Sequence, residues 1–157
     1  LYREGGFMKS KSRYVPFFND DADSFNPKEF CQGGLYRISQ VVKDESLVGT
    51  KLVVYYVNFC LKSGETCILK PKIVEYSYVK WWDEVHINLT QVSDGRTIHP
   101  DFYKIVSACV WSYENLDLAL ADYNHKIETI VSEREKYLTG IMEKELKRVS
   151  KNIVKRI

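Results

Sequence analysis

The sequence predicts an α+β protein, a small antiparallel β-meander followed by long C-terminal helices. Two observations carry that expectation. Apolar side chains recur with a period of two between residues 33 and 98, and with a period near 3.6 from Pro100 onward. Beyond Pro100 there is no further proline, and Gly140 is the one glycine. A third observation bounds the whole: 157 residues with 45% apolar side chains can bury one core and still carry a helical extension.

Residues 1–32 are expected to form an irregular arm. Asn19-Asp20-Asp21-Ala22-Asp23-Ser24 reads as a loop, and Pro16 and Pro27 argue against regular structure around it. Phe17, Phe18, Phe25 and Phe30 tack this arm onto the main body, because such a run of rings is poorly tolerated in water.

The β domain is expected over residues 33–98. After Gly33-Gly34, the segment Leu35 to Val41 alternates as a half-buried strand does. Leu52 through Leu61 is almost continuously apolar and rich in Val and Tyr, the pattern of a central strand covered on both faces. Lys62-Ser63-Gly64-Glu65 supplies a hairpin loop, with glycine available for a positive φ. The chain returns through Thr66 to Leu69 and meets Pro71, which marks an edge, a bulge or a break because it lacks a ladder donor. Ile73 to Val79 and Val85 to Leu89 complete four or five strands, closed by the turn Ser93-Asp94-Gly95.

The helical region is expected over residues 99–157. Pro100 suits a first helical turn, with Asp101 beside it at the positive end of the macrodipole. The apolar stripe then runs through Phe102, Ile105, Cys109, Tyr113, Leu116, Leu120, Tyr123, Ile127 and Ile130, slips near Arg134, and continues to Ile153. As one helix this stretch would be roughly 85 Å long at 1.5 Å per residue. A compact domain of this size is about 40 Å across. Either the helix breaks near Ser112 to Asp117 and packs as a hairpin, or it projects and pairs with a second copy, the spacing from Leu116 to Ile130 being close to 3.5 residues.

Several chemistries lack their residues. Neither Gly5-Gly6 nor Gly33-Gly34 opens a phosphate-binding loop, and no Gly-x-Ser-x-Gly elbow occurs. Cys31, Cys60, Cys67 and Cys109 contain no Cys-x-x-Cys, and His86, His99 and His125 are not spaced as ligand pairs, so no metal site and no cofactor are expected. The four thiols read as reduced and mostly buried. Asp83-Glu84 are adjacent on an extended segment, which points their carboxylates apart; no catalytic residue is assigned and the protein is read as a non-enzyme. No apolar run reaches the roughly 18 residues of a membrane span, and no charged-then-apolar leader opens the sequence, so a cytoplasmic location is expected.

Two features are suited to binding. Tyr76, Tyr78, Trp81 and Trp82 lie close together with Lys70, Lys72 and Lys80 interleaved, a combination that serves protein interfaces and single-stranded nucleic acid alike. Trp81 and Trp82 are adjacent, so on a strand only one ring can enter a given core. The second feature is the basic end: Lys144, Lys147, Arg148, Lys151, Lys155 and Arg156 against Glu145 give a local charge of +5, leaving −3 for the rest of a chain whose total is +2. Lys147, Lys151, Lys155 and Arg156 are the candidate contacts there, although cations at a helix C-terminus also stabilise the helix itself.

The Lys-, Asn- and Tyr-rich composition and the opening Met8-Lys9-Ser10-Lys11-Ser12-Arg13-Tyr14 resemble the small host-takeover proteins of T-even-like bacteriophages. In size and in lacking catalytic motifs the chain is similar to the phage inhibitors of the host Lon protease. That resemblance implies a protein-binding inhibitor that blocks the ATP-dependent protease Lon in the bacterial cytoplasm, with no turnover. The alternative is a nucleic-acid-binding protein using the aromatic and basic features.

Overall fold

The computed structural model describes Phe18 and residues 25–41, 44–81, 84–98 and 107–156, with the side chains of 78–87 and 154–156 not described. The expected loop at 19–24 and the helix start at Pro100 to Val106 lie outside the described residues, as do Pro16 and Phe17. Within them the chain is α+β, an antiparallel five-stranded sheet with one long C-terminal helix. The elements are α1 (Pro27–Cys31), β1 (Tyr36–Arg37), α2 (Ile38–Val41), a 3-10 turn (Glu45–Leu47), β2 (Lys51–Phe59), β3 (Thr66–Trp81), β4 (Glu84–Gln91), β5 (Cys109–Ser112) and α3 (Leu116–Arg156).

Strand order in the sheet is β1-β5-β2-β3-β4. The meander expected from short connections holds for β2, β3 and β4. It does not extend to β1, which is separated from β2 by β5. Residues 109–112, expected in the helix, instead form that inserted strand. Cys109, Val110, Trp111 and Ser112 are all buried, because β5 lies between two strands with both faces covered. Four residues buried on both faces have no period, so the helical stripe ran through them unnoticed.

The strand expected over Leu35 to Val41 is also shorter. After Arg37 the chain turns into α2, and Ile38 and Val41 are both fully buried in one cluster. A helical turn places residues three apart on one side, whereas a strand would set them on opposite faces. The Gln40 carboxamide oxygen accepts from the Arg37 N–H at 2.9 Å and closes the turn. Pro27, expected to oppose regular structure, sits in the first turn of α1, where its missing N–H is no loss. Asn26 caps that helix, its side chain accepting from the Lys28 N–H at 3.1 Å.

Strand β2 is the centre of the core, covered on both faces as its apolar run predicts. Leu52 and Val54 enter one cluster with Tyr36, Ile38, Val74 and Tyr76. Val53 and Tyr55 enter the other with Leu35, Cys109, Trp111 and Ala119. The first face is roofed by α1 and α2, where Phe25, Phe30 and Tyr36 meet edge to face at 5.0–5.8 Å. The second is roofed by α3. Phe18 packs against that second cluster and forms a parallel bridge with Leu35, so the arm is tacked down by rings as expected. Pro71 marks a bulge: the register slips between Val54 and Tyr56, leaving Lys70 and Pro71 opposite Tyr55. Gly64 in the β2–β3 loop takes φ +76°, the use foreseen for it.

Helix α3 is one unbroken element of 41 residues, about 60 Å long. The helix hairpin is therefore excluded and the helix projects. Its first half lies on the sheet; from Ile141 to Ile153 every side chain is exposed. The α1 and α3 ends are tied where Asn115 donates its side-chain N–H to the Phe30 carbonyl at 3.0 Å.

Gly34 is the tightest backbone approach in this framework. A Cβ there would stand 2.9 Å from the Glu29 carbonyl oxygen and 2.9 Å from the Tyr36 ring. Gly34→Ala is expected to lower the unfolding free energy by about 1–3 kcal/mol in urea titration. Gly140→Ala, on an open helix surface, should instead raise it by up to about 1 kcal/mol.

Candidate functional site

The position of α3 is set by a buried polar cluster. Asp122 is fully buried on the helix face that meets the sheet. It accepts from the Tyr55 hydroxyl and pairs with Lys126 at 2.7 Å, one helical turn on. Trp111 in turn donates its indole N–H to the Tyr55 oxygen at 2.7 Å. The cluster thus joins β5, β2 and α3 in one hydrogen-bonded chain, leaving the carboxylate neither unpaired nor wet. Burial first, and then the Asp122 charge, raise the Tyr55 pKa. Burial likewise pushes the Cys109 thiol up to about 12.

A protonated, buried thiol is a poor nucleophile, which counts against catalysis at Cys109. The four cysteines are free, as expected, but they are not mostly buried: Cys31 and Cys60 are exposed, Cys67 is half-buried and only Cys109 is buried. Each exposed thiol lies in a loop or at an element end, where sequence gives no burial signal. Hydrogen bonds from Ser63 hold the Cys60 thiol below its ordinary value of 9.0. Among the described residues no three His, Cys, Asp or Glu side chains stand together as a metal site would need. A groove of about 380 Å³ lies between the end of β2 and α3, lined by Val57, Phe59, His125, Lys126 and Ile130 among others.

The aromatic group singled out in the sequence is divided by the fold. Tyr76 is fully buried in the first core cluster, so it is not a contact residue. Val74, two residues before it, shares that face. Tyr78 and Trp81 belong to β3, opposite Ile87 and Glu84 of β4. Trp82 and Asp83 lie outside the described residues, between Trp81 and Glu84. What the sequence could not show is where this segment sits. β2 pairs with β3 as far as Glu75, with two further backbone bonds at Tyr76, whose N–H donates to the Thr50 carbonyl and whose carbonyl accepts from the Gly49 N–H. Beyond it, Ser77–Trp81 pairs with β4 alone among the described residues, so the two strands run on past β2 as a ribbon. Lys70 is exposed and Lys72 half-buried at the bulge, well down the strand from that ribbon.

The basic end is placed on the projecting part of α3. Lys147 and Lys151 are exposed, Arg148 pairs with Glu145, and Lys155 and Arg156 belong to the last turn. The structure therefore does not bring the aromatic and basic candidates together on one element. Sequence reasoning missed the Asp122 cluster altogether. Its one available signal was an Asp and a Lys four residues apart beside Ala119 and Tyr123, on the apolar side of the helix. No helix among the described residues is long and apolar enough to cross a membrane. No protein-family model matches the sequence, and neither a curated protein nor a solved structure matches the chain.

The buried cluster makes stability depend on pH in one direction. Tyr55 and Cys109 hold their protons more tightly folded than unfolded, so the folded chain binds more protons above the ordinary thiol value of 9.0. Stability is then full below pH 9 and falls as pH rises towards 12, by about 1.4 kcal/mol per pH unit for each proton. Urea unfolding at pH 7.5, 9 and 10.5 should show that decline; Cys109→Ala should remove most of it, and Tyr55→Phe only the part above pH 10. Asp122→Ala, which strands Lys126 and the Tyr55 hydroxyl, should cost about 3–5 kcal/mol at pH 7.5.

Proposed function

We propose that the protein is a non-catalytic binding inhibitor that presents the β3–β4 ribbon to a host protein. The resemblance to phage host-takeover proteins makes the ATP-dependent protease Lon, in the bacterial cytoplasm, the target of this reading. One observation supports it most: β3 and β4 continue as a pair beyond the end of β2, and Trp81, with Trp82 next to it in the sequence, is the last residue of β3. Aromatic anchors supply most of the energy at protein interfaces, while rim charges mainly affect association. Blocking a protease by occupancy needs a rigid anchor and no chemistry of its own, which fits a fold whose buried titratable groups are tied up in holding a helix to a sheet. The burial of Tyr76 weakens the nucleic-acid alternative, because it removes one ring from the stacking surface that alternative needs.

Addition of the protein to purified Lon should slow ATP-dependent degradation of an unfolded substrate. Replacing one of Trp81 and Trp82 by alanine should weaken binding by about 2 kcal/mol or more, roughly 30-fold. The triple change Lys151→Ala, Lys155→Ala, Arg156→Ala should mainly slow association. Normal binding by both tryptophan variants, with loss in the triple variant, would refute the ribbon as the interface. Steep, log-linear salt dependence on single-stranded DNA would favour the nucleic-acid reading instead.

A further inference from the structure

Helix α3 carries an apolar repeat that the sheet uses only at its start, where Leu116 packs against the second core cluster. Leu116, Ile127, Leu138 and Val149 follow one another at intervals of eleven residues, and so do Leu120, Val131, Met142 and Ile153. The two rows alternate in steps of four and seven along the whole helix, with no polar interruption. At about 100° per residue they form a band on one side, drifting only some 20° per repeat. Ala119, Asp122 and Lys126, which meet the sheet, are centred roughly 130° around the helix from the middle of the band. Leu116 and Ile127 are half-buried beside the sheet, and the rest of the band faces away from the body: Leu120 is 40% exposed, Val131 52%, Met142 64% and Ile153 55%.

An apolar band this long is a docking surface, and its own charge pattern selects what docks. Residues 147–156 carry five cations and no acid, whereas residues 113–121 carry Glu114 and Asp117 and no base. Laid parallel, two copies would bring both sets of five cations together. Laid antiparallel with Arg134 opposite Glu135, they set each basic end along the acidic start of the other helix. The same register matches the rows: Leu116 opposes Ile153, Leu120 opposes Val149, Ile127 opposes Met142, and Val131 opposes Leu138. Glu133 then stands level with Lys136; no two like formal charges share a level in the overlap.

We infer that α3 pairs with a second copy of this chain, antiparallel and in that register, through the eleven-residue apolar rows. A dyad between residues 134 and 135 generates a two-fold dimer in which two helices lie between two sheets. An eleven-residue period is 3.67 residues per turn, so the pair is nearly straight with a slight right-handed coil. The inference is independent of the ribbon and of Lon.

Sedimentation equilibrium of the full chain at micromolar concentration tests it. The expected mass is twice the 18.4 kDa of one chain. Met142→Glu should shift the equilibrium to one chain while leaving the helical circular dichroism of the folded monomer. Should that variant not fold, crosslinking decides independently, in a background with Cys31→Ser and Cys60→Ser. Glu135→Cys, beside the dyad, should form a covalent dimer on oxidation. Ile153→Cys should not, because its counterpart lies roughly 55 Å away at the other end of the pair. A single-chain mass for the unaltered protein overturns the inference. Efficient crosslinking through Ile153→Cys overturns the antiparallel register.

Discussion

A carboxylate with no access to water fixes the rotation of the long helix. Asp122 is stable in its site only while the Tyr55 hydroxyl and the Lys126 ammonium both reach it. Turning α3 by one residue about its axis would swing that charge some 100° and break both contacts. Apolar packing alone would tolerate several rotations, since Ala119 and Leu116 are small or half-buried neighbours of the sheet. The polar cluster admits one. Everything further along the helix inherits this setting, including which face is turned outward at Val131, Met142 and Ile153.

The sheet beneath is organised around the demand that β2 be covered twice. Leu52, Val53, Val54 and Tyr55 are all buried, so both faces need a roof. The N-terminal segment supplies one roof with Phe30 and Ile38, and α3 supplies the other. Insertion of β5 between β1 and β2 ties the two roofs to one strand, because Ser112 leads almost directly into α3. Arg134 closes the far end of the contact by donating to the Leu61 and Lys62 carbonyls of the β2–β3 loop. Past that latch the helix has no sheet left to rest on.

Much of this was legible in the residues and some was not. The run from Leu52 to Tyr55, the Gly64 loop and the Pro71 bulge each announce themselves through a local cause, respectively double burial, positive φ and a missing donor. Strand β5 was hidden for the opposite reason. Its four residues are apolar or small whatever the period, and only the pairing with Leu52 to Tyr55 makes them a strand. The ribbon was legible as two strands, but its reach past β2 depends on where β2 begins, a long-range fact. Tyr76 illustrates the cost: in sequence it belongs with Trp81, whereas in the fold it belongs with Val74 in the core.

The period of the helix was misread for a related reason. Between Leu116 and Ile130 the residues that touch the sheet and those that face away are both apolar, and their superposition averages near 3.5. Separated by face, the outward row Leu120, Val131, Met142 and Ile153 keeps a strict eleven-residue repeat, and the slip near Arg134 is where the sheet-facing set ends. A seven-residue seam would coil left-handed and carry a partner around towards the sheet side within a few turns. The slower drift of an eleven-residue seam keeps one flank of the helix on the sheet and the opposite flank clear over its length. A helix that rests on a sheet along one flank and leaves a second apolar flank clear is therefore better built on eleven than on seven, and the residues at 120, 131, 142 and 153 satisfy that geometry at every repeat.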